Sequence, residues 1–229
     1  MYKFLIFDAD NTLFDFNKAE KNALFKVLYD IGIKPNEKMV SSYIAINNVL
    51  WKMYEKGETT QQKLKIERFR RLFNQIGSDA DYLKASEDYL IYLSEGAFLL
   101  PDALDLITEL KTGYVLGMLT NGISSVQHPR LARSPFHGIF DAVVVSGDIG
   151  ISKPNPEIFR ILAEKAGISN KKEMIIFGDS LSSDIKGGLN YGIDTCWFNP
   201  KFNKNKTDIV PKYEISSLKE IYRILEQGK

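Results

Sequence analysis

The sequence predicts an α/β fold: an open, Rossmann-like parallel sheet with helices on both faces, plus an inserted α-helical bundle. Two observations carry that expectation. Short apolar runs of four to six residues alternate with segments of helical periodicity through most of the chain. From Asn17 to about Ser94 the alternation stops and only helical patterns remain.

The first strand is read at 2–7, "YKFLIF", whose four residues Phe4 to Phe7 are all apolar, as a strand buried on both faces would be. Four helices follow. Asn17 and Glu20 read as a capping pair, and Ala23, Leu24, Val27, Leu28 and Ile31 recur at helical spacing before Gly32. The second helix carries Val40, Tyr43, Ile44, Leu50, Trp51 and Tyr54. The third carries Ile66, Phe69, Phe73 and Ile76, and the fourth Tyr82, Leu83, Tyr89, Leu90 and Leu93. Further strands are expected at 114–119, 142–146, 174–177 and 195–198, with helices at 102–111, 123–134, 156–166, 182–191 and 217–226. The expected division is a core of residues 1–16 and 95–229 and a helical cap of 17–94.

Composition narrows the function classes. The chain has 229 residues, 44% of them apolar, and a formal net charge of +1, so neither nucleic acid nor an anionic membrane is expected as a partner. Cys196 is the single cysteine, which excludes an internal disulfide and suits a reducing cytoplasm. The N-terminal apolar run is interrupted by Asp8, too early for a signal peptide.

In an open parallel sheet the ligand crevice lies beyond the carboxyl ends of the strands, and there the polar residues collect. The first strand ends in Asp8-Ala9-Asp10, whose two carboxylates would stand roughly 7 Å apart on one face and repel by about 2–3 kcal/mol. The second ends in Thr120-Asn121-Gly122, the third leads into "GDIGISKPNP" with Lys153, and the fourth ends in "GDSLSSD" with Asp179 and Asp184. Asp8, Asp10 and Asp179 offer hard oxygen ligands without thiolate or imidazole, a set suited to Mg²⁺. A divalent cation turns their repulsion into coordination. The Thr120 hydroxyl, the Asn121 and Gly122 amides before a helix, and the Lys153 ammonium suit a phosphate. Each motif taken alone is an ordinary turn; four at strand ends with matching chemistry are not.

These four motifs, "DADNTL", "LTNG", "SKP" and "GDSLSSD", resemble in order those of the haloacid dehalogenase-like hydrolases, and the resemblance covers essentially the whole chain. It implies that Asp8 is a nucleophile forming an aspartyl-phosphate and that Asp10 is the acid and base of the two half-reactions. It further implies that Thr120 and Lys153 hold phosphoryl oxygens. Mg²⁺ would take the Asp8 and Asp179 side chains and the Asp10 carbonyl, with Asp184 in support. Halide needs no proton on leaving, so an acid at Asp10 favours a phosphatase or phosphomutase over a dehalogenase. "LTNGISSVQHPRL", "GDSLSSDIKGG" and "GIDTCWFNP" are similar to pyrimidine 5′-nucleotidases, which implies a nucleoside monophosphate as the small-molecule substrate; sugar phosphates and other small esters are the alternative. Receiver modules also join an acidic cluster to a lysine, but a helical cap serves no purpose in them. A catalytically silent binder is disfavoured because every motif position is filled.

Pro129 departs from a helical pattern and predicts a late start or a kink in the helix after Thr120. Phe14 and Phe16 read as packing, and Trp51 and Tyr54 as bundle core. The run Lys63, Lys65, Arg68, Arg70, Arg71 reads as a solvated helix face. His128 and His137 are too few for a metal site, and Cys196 reads as a small buried hydrophobe.

Overall fold

In the computed structural model, which describes residues 1–227, six parallel strands lie in the order β3-β2-β1-β4-β5-β6. They are β1 (Phe4–Phe7), β2 (Val115–Thr120), β3 (Ala142–Val145), β4 (Met174–Gly178), β5 (Asp194–Phe198) and β6 (Tyr213–Ile215). The strand order reverses at β1, which pairs with β2 on one side and β4 on the other. That reversal opens a crevice at the carboxyl edge.

Side chains alternate across the pleat. Leu5, Phe7, Leu116, Met118, Ile175 and Phe177 share one core with helices α5 (Ala103–Leu110) and α10 (Ile221–Gln227). Phe4, Ile6, Ala142, Val144, Met174 and Ile176 share another. Both faces are therefore covered, as the apolar strands require. The sixth strand was not expected. It holds only three residues, of which Ile215 alone is fully buried, so it has no sequence pattern of its own and exists through pairing with β5.

Between β1 and α5 stand α1 (Phe16–Asp30), α2 (Glu37–Glu55), α3 (Gln61–Ile76) and α4 (Tyr82–Glu95). Their apolar stripes meet in a separate core that includes Leu24, Tyr43, Phe69, Leu72 and Tyr89. The chain leaves and re-enters through two adjacent segments, joined by the Asp15 amide to the Phe98 carbonyl (2.9 Å) and the Leu100 amide to the Leu13 carbonyl (2.9 Å). The expected cap of α1 is corrected. Asp15, not Asn17, accepts from the Lys18 amide, and Glu20 turns inward instead of reaching back.

Helix α6 (Ser124–Arg133) starts immediately after the loop that ends β2, so the late start expected from Pro129 does not occur. Pro129 forfeits only the bond to the Ser125 carbonyl, and the upstream turn is closed by the Val126 and Gln127 amides on the Ile123 carbonyl. A short helix, α7 (Ser146–Ile149), follows β3, then α8 (Pro156–Lys165), capped by Asn155 as its sequence suggests. A wide π-type turn at Leu181–Ile185 leads into α9 (Lys186–Tyr191) where one continuous helix was expected. Among the described residues no helix is long and apolar enough to cross a membrane.

Candidate active site

The four strand ends do converge. Asp8 leaves β1 with its amide bonded to the Phe177 carbonyl of β4 (2.9 Å). Lys153 reaches it from the loop after α7: its Nζ donates to Asp8 Oδ1 (2.6 Å), Asp184 Oδ1 (2.6 Å) and the Leu119 carbonyl (2.7 Å). Three acceptors exhaust an ammonium's donors. Burial alone would lower the lysine's pKa, but Asp184 and Asp8 hold it above its ordinary value, so it remains a cation.

Asn121 acts mainly as a staple. Its side chain accepts from the Lys153 amide (2.7 Å) and donates to the Lys153 carbonyl (2.9 Å), tying the β2 loop to the lysine loop. Thr120 Oγ1 accepts from the Gly122 amide (3.0 Å) and Gln127 Nε2 (3.2 Å). The Gly122 amide is thus already engaged, while the Thr120 hydroxyl proton is left to donate to an anion.

Two residues that sequence reasoning missed hold Asp10. Arg130 Nη1 donates to its Oδ1 (2.6 Å) and Gln127 Nε2 to its Oδ2 (2.6 Å). Arg130 is wholly buried, and its Nε is anchored on the Gly96 carbonyl (3.1 Å). The available signal was their i, i+3 spacing on a helix that begins at the crevice. The Asp10 carboxylate therefore faces α6, and only its main chain is left for the acidic cluster.

That cluster consists of Asp8, Asp179 and Asp184, each offering a carboxylate oxygen within 4.8 Å of the others. Asp184 is fixed by the Ser180 amide on Oδ2 (3.0 Å) and by the absence of a side chain at Gly178, where a Cβ would meet its Cγ at 2.3 Å. Burial pushes Asp8 up to about 7, against the pull of Lys153 and with Asp184 and Asp10 adding to the rise. Burial, then Asp8 and Asp184, drive Asp179 well above the carboxylate range. With one ammonium among three carboxyl groups, ionising all three would leave negative charge uncompensated, which a cation could offset. The all-oxygen donor set fits Mg²⁺.

The opposite wall belongs to the helical bundle. A cleft of about 240 Å³ is lined by Asp8, Asp10, Thr120, Lys153 and Asp179 below and by Glu20, Asn47, Trp51 and Arg68 above. One sequence expectation is extended here and another corrected. Trp51 is half-buried: it packs against the bundle core, as expected, and also lines the cleft. Arg68 is 1% exposed instead of solvated, because it shares the helix face of Leu64 and Leu72. Phe14 packs as expected, His128 makes an exposed pair with Asp148, and Cys196 is buried.

Glu20 carries a stability prediction. Burial raises its carboxyl from 4.5 to about 7, outweighing the Arg68 charge and the Asn47 hydrogen bond. An acid whose pKa rises on folding contributes fully below its unfolded value and loses that contribution as pH climbs through the folded one. Glu20→Gln should therefore be the more stable protein at pH 8, by about 3 kcal/mol, with the gap closing towards pH ~4.5. Urea unfolding at the two pH values checks this; equal stabilities at pH 8 would overturn it.

The sequence profile described as haloacid dehalogenase-like hydrolase matches residues 2–192. The HAD-hydrolase YfnB of Bacillus subtilis is 38% identical over 98% of this chain and 95% of its own. Its crystal structure, bound to magnesium and described as revealing interdomain movement, superposes with a TM-score of 0.93 over 98% of both chains. The pyrimidine 5′-nucleotidase PynA of Streptococcus pneumoniae is 35% identical over 99% of this chain and 96% of its own. The pyrimidine 5′-nucleotidase YjjG of Escherichia coli is 31% identical over 98% of each.

Proposed function

The chain belongs to the haloacid dehalogenase-like hydrolases, and from that premise we propose a Mg²⁺-dependent 5′-nucleotidase for pyrimidine nucleoside monophosphates. The observation that carries the chemistry is the meeting of Asp8, Lys153 and Asp184 at the floor of a cleft whose rim holds Asp10 and Thr120. Near-full-length similarity to two pyrimidine 5′-nucleotidases supports the substrate class.

Lys153 occupies Asp8 Oδ1, so the other carboxylate oxygen is offered to phosphorus. The Asp8 O–P bond forms as the bond to the nucleoside oxygen breaks, and the Asp10 carboxylic acid gives that oxygen its proton. Asp10 then takes a proton from the water that attacks the aspartyl-phosphate, releasing inorganic phosphate and restoring Asp8. Gln127 and Arg130 hold both Asp10 oxygens and so fix where the proton is delivered. The Thr120 hydroxyl orients a phosphoryl oxygen, while Lys153, whose three donors are engaged, contributes its positive charge beside the reacting Asp8 carboxyl. Asp8, Asp179 and the Asp10 carbonyl would hold Mg²⁺, with Asp184 beside them, and the ion when bound supplies positive charge against the carboxylates and the phosphate. The helical block 17–94 serves as the cap that excludes water over a core of 1–16 and 95–229.

Phosphate release from UMP, dUMP, dTMP, purine monophosphates, sugar phosphates and p-nitrophenyl phosphate tests the reading. Pyrimidine monophosphates should lead and EDTA should stop release. Leading sugar phosphates would displace the substrate assignment. Independently of turnover, saturating Mg²⁺ should stabilise the protein against thermal unfolding, by about 2.7 kcal/mol at one hundred times its dissociation constant. A melting temperature identical in Mg²⁺ and EDTA would count against the metal.

A further inference from the structure

The upper wall of the cleft contains polar side chains that the phosphate chemistry does not use. Glu20, Asn47 and Arg68 come from three different helices, α1, α2 and α3, and are 4%, 2% and 1% exposed. Asn47 Nδ2 donates to Glu20 Oε1 (2.7 Å), which leaves Asn47 Oδ1 without a partner. Arg68 Nε and Nη2 are likewise unpartnered among the described residues. Its guanidinium lies over the Tyr89 ring at 4.3 Å, which fixes the plane of its donors. All three residues line the same cleft as Asp8, and Glu20 feels the charge of Asp10.

A purely structural role fits this arrangement poorly. Arg68 and Glu20 are near enough to interact by charge, yet no hydrogen bond joins them, whereas a structural pair would close the fork on the carboxylate. Each buried donor or acceptor left unsatisfied costs about 1–3 kcal/mol. Three such atoms around one recess describe a site whose partners arrive with the ligand.

The chemistry of that ligand can be narrowed. One carboxylate and one guanidinium share the recess, so a second anionic group on the substrate would gain from Arg68 and lose to Glu20. A neutral group with both acceptors and donors suits it better. A uracil or thymine ring presents a carbonyl, an N–H and a second carbonyl along one edge. Arg68 supplies a donor for a carbonyl and Asn47 Oδ1 an acceptor for the N–H. Trp51, Phe16 and Ile44 line the cleft and offer apolar walls to a flat ring.

We propose that Glu20, Asn47 and Arg68 form the base-reading recess of the cap, with Asn47 and Arg68 hydrogen-bonding the imide edge and Glu20 holding Asn47 in register. This rests on the nucleotidase reading above and adds to it the residues that read the base.

The test compares UMP with ribose 5-phosphate, which keeps the phosphate and sugar and lacks the base. Assays use the full chain at pH 8, where Glu20 is charged. Wild type should favour UMP strongly in kcat/KM. Asn47→Ala should cut the UMP to ribose 5-phosphate ratio by about tenfold or more, chiefly through a higher KM for UMP. Glu20→Gln, which keeps the side-chain shape and still accepts from Asn47, should raise kcat/KM for phosphoglycolate relative to UMP several-fold, because Arg68 is then unopposed. It also decides the matter if Asn47→Ala does not fold. If wild type favours UMP but each variant changes all three substrates in the same proportion, the recess is structural and the inference falls while the nucleotidase reading stands. If wild type treats UMP and ribose 5-phosphate alike, the nucleotidase reading itself falls, and the inference with it.

Discussion

Asp8→Asn should leave the protein folded and lower kcat by about 10⁴-fold or more, the scale on which enzymes lose a covalent nucleophile. The substitution exchanges one oxygen for an NH₂ group of the same size. Lys153 still finds the remaining position 8 oxygen, Asp184 and the Leu119 carbonyl, so the floor of the cleft keeps its geometry. Removing one of three clustered carboxylates also relieves repulsion, and the variant should melt no lower than wild type in Mg²⁺-free buffer. Phosphate release on the best substrate and a melting curve check both halves. Intact-mass analysis of acid-quenched wild type should find a phosphoryl adduct that the variant lacks. Turnover within tenfold of wild type would rule out Asp8 as the nucleophile.

Lys153→Met acts in the opposite sense, on the fold as well as on catalysis. Lys153 is 1% exposed and is the cation that Asp8 and Asp184 share. Breaking a buried ion pair from one side costs about 3–5 kcal/mol, because the charges left behind have neither water nor partner. In this protein two carboxylates are abandoned at once, with Asp179 beside them. The deficit should depend on pH. Asp8 is already raised to about 7 with the lysine present, and raised acids lose their contribution to stability as pH increases through the folded value. The variant should therefore fall furthest behind wild type near pH 8 and recover towards pH 5. Urea denaturation in EDTA at the two values measures this, and saturating Mg²⁺ should restore part of the loss at pH 8. A variant as stable as wild type at pH 8 would show that the cluster does not depend on its lysine.

Much of the core was legible because its signals are local. β1, β2, β3 and β4 are short apolar runs, and burial on both faces of a parallel sheet demands that composition. Asn155 before Pro156 reads as a helix start and is one. Where a local signal had a competitor, the reading slipped. Asn17 and Glu20 have the spacing of a capping pair, yet Asp15 caps α1, and the phase of that helix turns Glu20 towards Asn47. Arg68 sits among four other bases, so charge suggested solvent, while its place on the face of Leu64 and Leu72 pointed inward. The helical phase outweighed the charge. β6 was invisible because three residues cannot show a period, and only β5 makes them a strand.

By itself the sequence determined which residue types stand at which strand ends, because a strand, its terminal polar residues and the turn after them are neighbours along the chain. Asp8, Thr120, Lys153 and Asp179 could be placed on one edge from the connectivity of a parallel sheet. What faces them was decided only by tertiary structure. Asp10 meets Arg130 across 120 positions, Lys153 meets Asp8 across 145, and Asn47 meets Glu20 across 27, where α1, packed on α4, faces α2, packed on α3. No local period encodes such partners. They depend on the angle and phase at which separately formed helices settle, and those are set by the summed packing of whole apolar faces rather than by the few polar residues the packing brings together.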